Sequence, residues 1–178
     1  MSTASTNNAF TNNASTSDIT KSNVTILVDV QNVYYTTRDT FKRPFDYNKF
    51  WAKATEGRNV VKAIAYAIDR GDEKQRQCQN ILRAIGFEVK LKPFIQRSDG
   101  SAKGDWDVGI AIDGIEYGKD SDVLILVSGD GDFGLLATTL REKYKTRVEV
   151  YGVEALTAQS LIQSADDFTA ITHDLLLK

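Results

Sequence analysis

From Val24 onward the chain alternates short apolar runs with longer amphipathic stretches. The runs VTILVDV (24–30), NVVKAIAYAID (59–69), FEVKLKPF (87–94), DVLILVSG (122–129) and RVEVYGV (147–153) are rich in Val and Ile and bounded by polar or turn-forming residues. That is the pattern of strands in a sheet. Four stretches between them carry apolar residues at helical spacing: DYNKFWAKATE (46–56), DEKQRQCQNILRAIG (72–86), DWDVGIAIDGIEYG (105–118) and DFGLLATTLREKY (132–144). Gly86 is placed to cap the second of these, and a shorter stretch, TAQSLIQSADDF, follows the last strand. Elements alternating at this spacing predict right-handed crossovers and an α/β fold: a three-layer α/β/α, Rossmann-like arrangement around a mainly parallel sheet of five or six strands. In such sheets ligands sit outside the carboxyl ends of the strands, where the strand order reverses.

Residues 1–22 break the pattern. They are mostly Ser, Thr, Asn and Ala, with TNNAST echoing STNNAF, and hold too little apolar material to offset the entropy of ordering. They are read as a disordered tail ahead of one domain over residues 23–178. A length of 178 residues with 42% hydrophobic and 26% charged positions suits one such domain. The net charge of −2 excludes the broad basic surface of a protein that coats duplex DNA, leaving room only for a local basic groove. A single cysteine, Cys78, and a single histidine, His173, exclude both an internal disulfide and a Cys/His zinc site. With no apolar run near the ~18 residues of a bilayer span and no basic-then-apolar leader, the expectation is a cytoplasmic protein without a membrane partner.

The chemistry is carried by acids at strand ends. Asp29 closes the first strand in LVDVQN, with Asn32 placed to cap the next segment, and Asp130 closes the fourth in LVSGDGD, with Asp132 opening the following helix. Asp107 lies in the first turn of the stretch DWDVGIAID, whose apolar face is read as Val108, Ala111, Ile112 and Ile115. Asp113, six residues on, is a secondary candidate. Each piece has a plainer reading: SGDGDF as a turn with Asp132 as N-cap, Asp29 as a strand-end turn, and Asp105, Glu116 and Asp120 as a solvated helix face. The combination is harder to dismiss. Two unit charges ~4 Å apart repel by about 4 kcal/mol at an effective dielectric near 20, so convergence requires a shared proton, a basic partner, helix dipoles or a divalent cation. An all-oxygen ligand set selects a hard ion, Mg²⁺ or Mn²⁺.

The segments TILVDVQNVY, KGDWDVGIAIDGI, LILVSGDGDFGLLATTLREK and VEVYGVEALTAQSLIQSADDFTAI resemble a NYN domain of the LabA-like group, within the PIN-like nuclease superfamily. The resemblance runs from about Val24 to Ile171, and its specific parts are DxxN after the first strand, KGDWDV, and SGDGDF after a hydrophobic strand. It implies a PIN fold and a Mg²⁺- or Mn²⁺-dependent ribonuclease acting on single-stranded or structured RNA. The acids that match are Asp29, Asp107, Asp130 and Asp132, as catalytic residues and metal ligands, with Asn32 assisting. DVQN carries Gln31 where many relatives have an acid or a small residue. Such a site needs no protein nucleophile, because a carboxylate-held ion polarises the phosphoryl oxygen and activates water.

Several other residues are placed to meet substrate. KLKPFIQRSDGSAKG, residues 90–104, leads into the helix of Asp107, so Lys103, Arg97 and Lys92 border the acids; a solvated loop is the plainer reading. Ser128 precedes the acidic turn and is assigned to substrate binding. Tyr34 is assigned to base stacking, while one of Tyr34 and Tyr35 is expected in the core. Phe50, Trp51 and Trp106 are expected to pack against the sheet, and Cys78 to be buried or half-buried. Three function classes then compete. The first is the metal-dependent ribonuclease, the second an RNA- or protein-binding regulator with weak or no catalysis, and the third a small-molecule phosphohydrolase. The third is disfavoured because DVQN lacks the second acid and Thr of DxDxT, and no GxxxxGK[ST] loop is present. A homodimer is compatible with either of the first two.

Overall fold

The structure is a computed structural model that describes residues 21–96, 98 and 102–178, with the backbone alone at 96, 102 and 103. The residues assigned to the tail, apart from Lys21 and Ser22, lie outside it, as does Arg97. The five predicted strands appear as β1 (Asn23–Asp29), β2 (Asn59–Asp69), β3 (Glu88–Pro93), β6 (Val123–Val127) and β7 (Arg147–Gly152). A sixth, β8 (Asp167–Ala170), completes a parallel sheet of order β3-β2-β1-β6-β7-β8. Strand order therefore reverses between β1 and β6, and the carboxyl ends of these two neighbours frame the crevice where ligands of such sheets bind. Their register pairs Val28 with Val127, which brings Asp29 level with Ser128.

Successive residues of β1 and β6 serve opposite cores, as the period of two requires. Val24, Ile26, Val28, Val123, Ile125 and Val127 face one layer, made by α1 (Val30–Phe41), α2 (Tyr47–Thr55) and α3 (Glu73–Ile85). Leu27, Leu124 and Leu126 face the other, where α4 (Asp107–Gly118), α5 (Gly134–Lys143) and the short α6 (Gln159–Ser164) pack. Strands buried on both sides read as near-continuous apolar runs, VTILV in β1 and VLILV in β6. Phe50 and Trp51 join the first core and Trp106 the second. No helix among the described residues is long and apolar enough to cross a membrane.

Four expectations are corrected. Helix α1 was not predicted, because Thr37 interrupts its apolar stripe of Val30, Val33 and Phe41; Thr37 is buried there, its hydroxyl donating to the Val33 carbonyl at 2.7 Å. The segment after β3 is not purely loop, since β4 (Ile95–Gln96) pairs antiparallel with β5 (Ala102–Lys103). Cys78, on α3, is exposed rather than buried or half-buried. The apolar face of α4 is right only in part: Ile115 packs against the second core and Ala111 is half-buried, but Val108 and Ile112 are 70% and 60% exposed, while Ile110, Asp113, Gly114 and Gly118 are buried. A Cβ on Gly114 would stand 2.8 Å from Leu136 Cδ2, so α4 and α5 meet through the absence of a side chain, a contact that hydrophobicity does not register.

Candidate metal centre

The site begins with β1 running directly into α1. Asp29 is the N-cap of α1, its Oδ1 accepting the Asn32 N–H at 3.3 Å, while its Oδ2 accepts the Ser128 hydroxyl at 3.2 Å. From the neighbouring strand, Gly129 N–H donates to Asn32 Oδ1 at 2.9 Å and Asp130 N–H to Ser128 Oγ at 3.2 Å. Asp29, Asn32 and Ser128 thus lace the end of β1 to the end of β6. Ser128 is fully buried, so its assignment to substrate binding is corrected: the hydroxyl is spent on the scaffold.

Asp130 caps a single 3₁₀ turn, Gly131–Phe133, and accepts the Asp132 N–H at 2.9 Å. This turn leads into α5 and lifts Asp132 into solvent while leaving Asp130 half-buried. Gly129 is dictated by space, since a Cβ there would come within 2.7 Å of the Leu156 carbonyl oxygen; the Ala158 N–H also donates to the Gly129 carbonyl at 3.0 Å. The Leu156–Ala158 segment therefore braces the acidic turn from behind, a contact with no local signal in the sequence.

The third approach is α4. Asp107 opens it, with Asp105 Oδ1 accepting the Asp107 N–H at 3.2 Å. Trp106 anchors this entry, its indole N–H donating to the Ala67 carbonyl at 2.8 Å. Asp107, Asp130 and Asp132 each offer a carboxylate oxygen, and these oxygens lie within 4.8 Å of one another. Asp29 is not in this close group. It sits beneath, buried, yet near enough for its charge to act on Asp107.

Electrostatics record the crowding. Burial is the main cause that pushes the Asp29 carboxyl up to about 6, with Asp130 and Asp105 adding to it against the hydrogen bonds from Asn32 and Ser128. Asp107 is pushed up to about 7, first by burial, then by the charge of Asp130 and a hydrogen bond shared with it. Among the described residues, no ion pair is made by Asp29, Asp107, Asp130 or Asp132. The three converging carboxylates fit a hard divalent cation by donor chemistry: all oxygen, brought together from the start of α4 and from the 3₁₀ turn after β6, with none of them in an ion pair among the described residues.

Asp113 is elsewhere. Its Oδ2 accepts the buried Tyr66 hydroxyl at 2.8 Å and pairs with Lys90 Nζ at 2.8 Å, tying α4 to β2 and β3. Its place as a secondary metal candidate is therefore corrected: this oxygen is saturated by protein donors. Tyr34 is 54% exposed on α1, and neither it nor Tyr35 joins either core, against the expectation for one of them. Lys103 lies on β5 by its backbone. Asp105, read as part of a solvated face, instead acts on both Asp29 and Asp107; its position just before a helix N-terminus was the available signal.

Compared with known proteins, residues 23–173 match the family described as NYN domain. Over 153 residues the chain is 27% identical to the low amplitude and bright protein LabA of Synechococcus elongatus, a match covering 82% of this chain and 81% of that protein. A crystal structure of a protein of unknown function from Vibrio parahaemolyticus is 58% identical, with a TM-score of 0.85 over 89% of this chain and 98% of that one.

Proposed function

Because this chain belongs to the NYN-domain family, we propose that it is a divalent-metal-dependent ribonuclease hydrolysing RNA phosphodiester bonds at the carboxyl ends of β1 and β6. One observation carries the reading: the carboxylates of Asp107, Asp130 and Asp132 converge within 4.8 Å, at the point where the strand order reverses. NYN domains belong to the PIN-like nuclease superfamily, which supports the same assignment.

In this reading Asp107, Asp130 and Asp132 hold Mg²⁺ or Mn²⁺. When bound there, such an ion would supply Lewis acidity toward a phosphoryl oxygen and would lower the pKa of water. The remaining work belongs to the chain. Asp130 is fixed by its own N–H on Ser128 and by its cap on the 3₁₀ turn, so its carboxylate is held before any ligand arrives. Asp29, buried and with raised proton affinity, orients Ser128 and adds negative potential below the group. Asn32 holds the Gly129 N–H and so keeps the β6 turn against α1. Asp132, the most exposed of the three converging acids, faces the side from which a phosphate and its water enter.

The test is cleavage of a labelled RNA with Mg²⁺, Mn²⁺ or EDTA by the full chain and by Asp130→Asn. Metal-dependent turnover lost in the variant supports the reading. Bound metal without turnover overturns it and leaves a regulator that binds RNA or a protein.

A further inference from the structure

On the β2–β3 side of the crevice, rings and cations form a continuous run of contacts. Arg38 lies over both Tyr34 and Tyr35, at 5.3 Å and 4.9 Å from the ring centroids. Arg70, just beyond β2, donates Nη2 to the Tyr35 hydroxyl at 3.1 Å and lies 4.7 Å from the centroid of Phe94. Phe94 is 40% exposed, and neither it nor the two tyrosines belongs to either core. Beyond Phe94 the surface falls into a cleft of about 160 Å³ lined by Gln31, Ile68, Phe94, Gly104 and Asp105. The cleft borders the acidic site, since its Asp105 accepts the Asp107 N–H and its Gln31 adjoins Asn32.

We propose that this run is a binding ledge for single-stranded nucleic acid, which seats an unpaired base in the cleft beside Phe94 and leads the strand across Arg70, Tyr35, Arg38 and Tyr34. The proposal rests on the nuclease reading and names the form of substrate that reaches its site. Exposed rings of this kind offer π-faces to any base. A guanidinium stacked on a ring still has edge donors to offer. Arg38, exposed, gives Nε and Nη2 to Asp39 Oδ1 at 3.3 Å, a contact that a phosphate must share or displace, and Arg70 gives Nη2 to Tyr35. Five donors each let Arg rather than Lys serve both contacts at once. A duplex holds its bases stacked inward and has no face to offer the cleft. The ledge contacts bases and phosphates, features common to RNA and DNA.

The experiment is fluorescence anisotropy in EDTA with a labelled single-stranded RNA, the same sequence as DNA, and an RNA duplex. The full chain is compared with Tyr34→Ala, Arg70→Ala, Phe94→Leu and Phe94→Tyr. Phe94→Leu and Tyr34→Ala are expected to weaken single-strand binding about tenfold, equally for RNA and DNA, while Phe94→Tyr keeps it. Arg70→Ala is expected to reduce the slope of log affinity against log salt by about 0.7. Asp130→Asn binds at least as well as the wild type, having lost an anionic charge. Unchanged binding in the Phe94→Leu and Arg70→Ala variants, or equal affinity for the duplex, overturns the ledge. Cleavage assays on the same proteins separate the two claims: ledge-dependent binding without metal-dependent cleavage removes the nuclease reading alone, and intact cleavage with ledge-independent binding removes the ledge alone.

Discussion

Asp107, from the first turn of α4, and Asp130, from the end of β6, bring carboxylate oxygens within 4.8 Å of each other, and burial together with the Asp130 charge makes Asp107 hold its proton up to about pH 7. That proton is what a cation has to displace. With Asp107 raised to about 7, metal binding should release close to one proton per site at mildly acidic pH, and affinity should rise as pH passes through about 7. Calorimetry with Mn²⁺ in buffers of different ionisation enthalpy measures the release directly; binding with no buffer dependence below pH 7 contradicts it.

The same proton shapes stability without metal. Asp29 and Asp107 hold their protons more tightly folded than unfolded, so the unfolded chain binds fewer protons between about pH 4 and pH 7. The sign follows: the contribution is fully present below the ordinary carboxylate range and is lost as pH rises through about 6 and then 7. For buried Asp29 the loss is on the order of 2–3 kcal/mol. Urea unfolding in EDTA at pH 5 and pH 7.5 should show it, and saturating Mn²⁺ should restore the difference.

Asp130→Asn relieves repulsion at the centre of the group. Metal-free Asp130→Asn is expected to be as stable as the wild type or more so, by about 1 kcal/mol at pH 7.5. A thermal melt that falls by several degrees in EDTA would show that Asp130 supports the fold rather than the chemistry.

Asp113 is expected to behave oppositely. Asp113→Ala leaves Lys90 without its partner and the Tyr66 hydroxyl buried without an acceptor, costing about 2–3 kcal/mol. Its Mn²⁺ affinity should fall far less than that of Asp107→Asn, and the two titrations side by side decide which aspartate of α4 is the ligand.

Gly129→Ala drives a methyl group toward the Leu156 carbonyl, against backbone that has no rotamer to yield. A loss of about 2 kcal/mol in chemical denaturation is expected, along with weaker metal binding as the turn shifts. Unchanged stability would mean that the 156–158 segment gives way at no cost.

The parts legible in advance were those whose signal is local. The runs of β1 and β6 are buried on both faces, so apolarity alone marks them, and an acid at the end of each then stands out. Helix α1 was missed because a buried Thr37 satisfies itself within the helix, and a hydropathy pattern counts it as polar. The face of α4 is displaced for the complementary reason: Ile115 does reach the core, but the contact with α5 is made by Gly114, while Val108 and Ile112 face outward. Asp107 was still placed correctly in the first turn of its helix, because position at a helix start does not depend on which side packs. The division between Asp29 beneath and three acids above depends on the register of β1 against β6 and on where α4 enters, neither of which is encoded near the residues concerned.

The hydroxyl bridge from Ser128 to Asp29 spans 99 residues of chain, and the brace behind Gly129 comes from a segment almost thirty residues further on. Such contacts form late, after closure of long loops. A nascent or partly unfolded chain therefore carries every acid of the centre without possessing the centre. The convergence of the three carboxylates is a property of the completed sheet and does not exist until folding has finished.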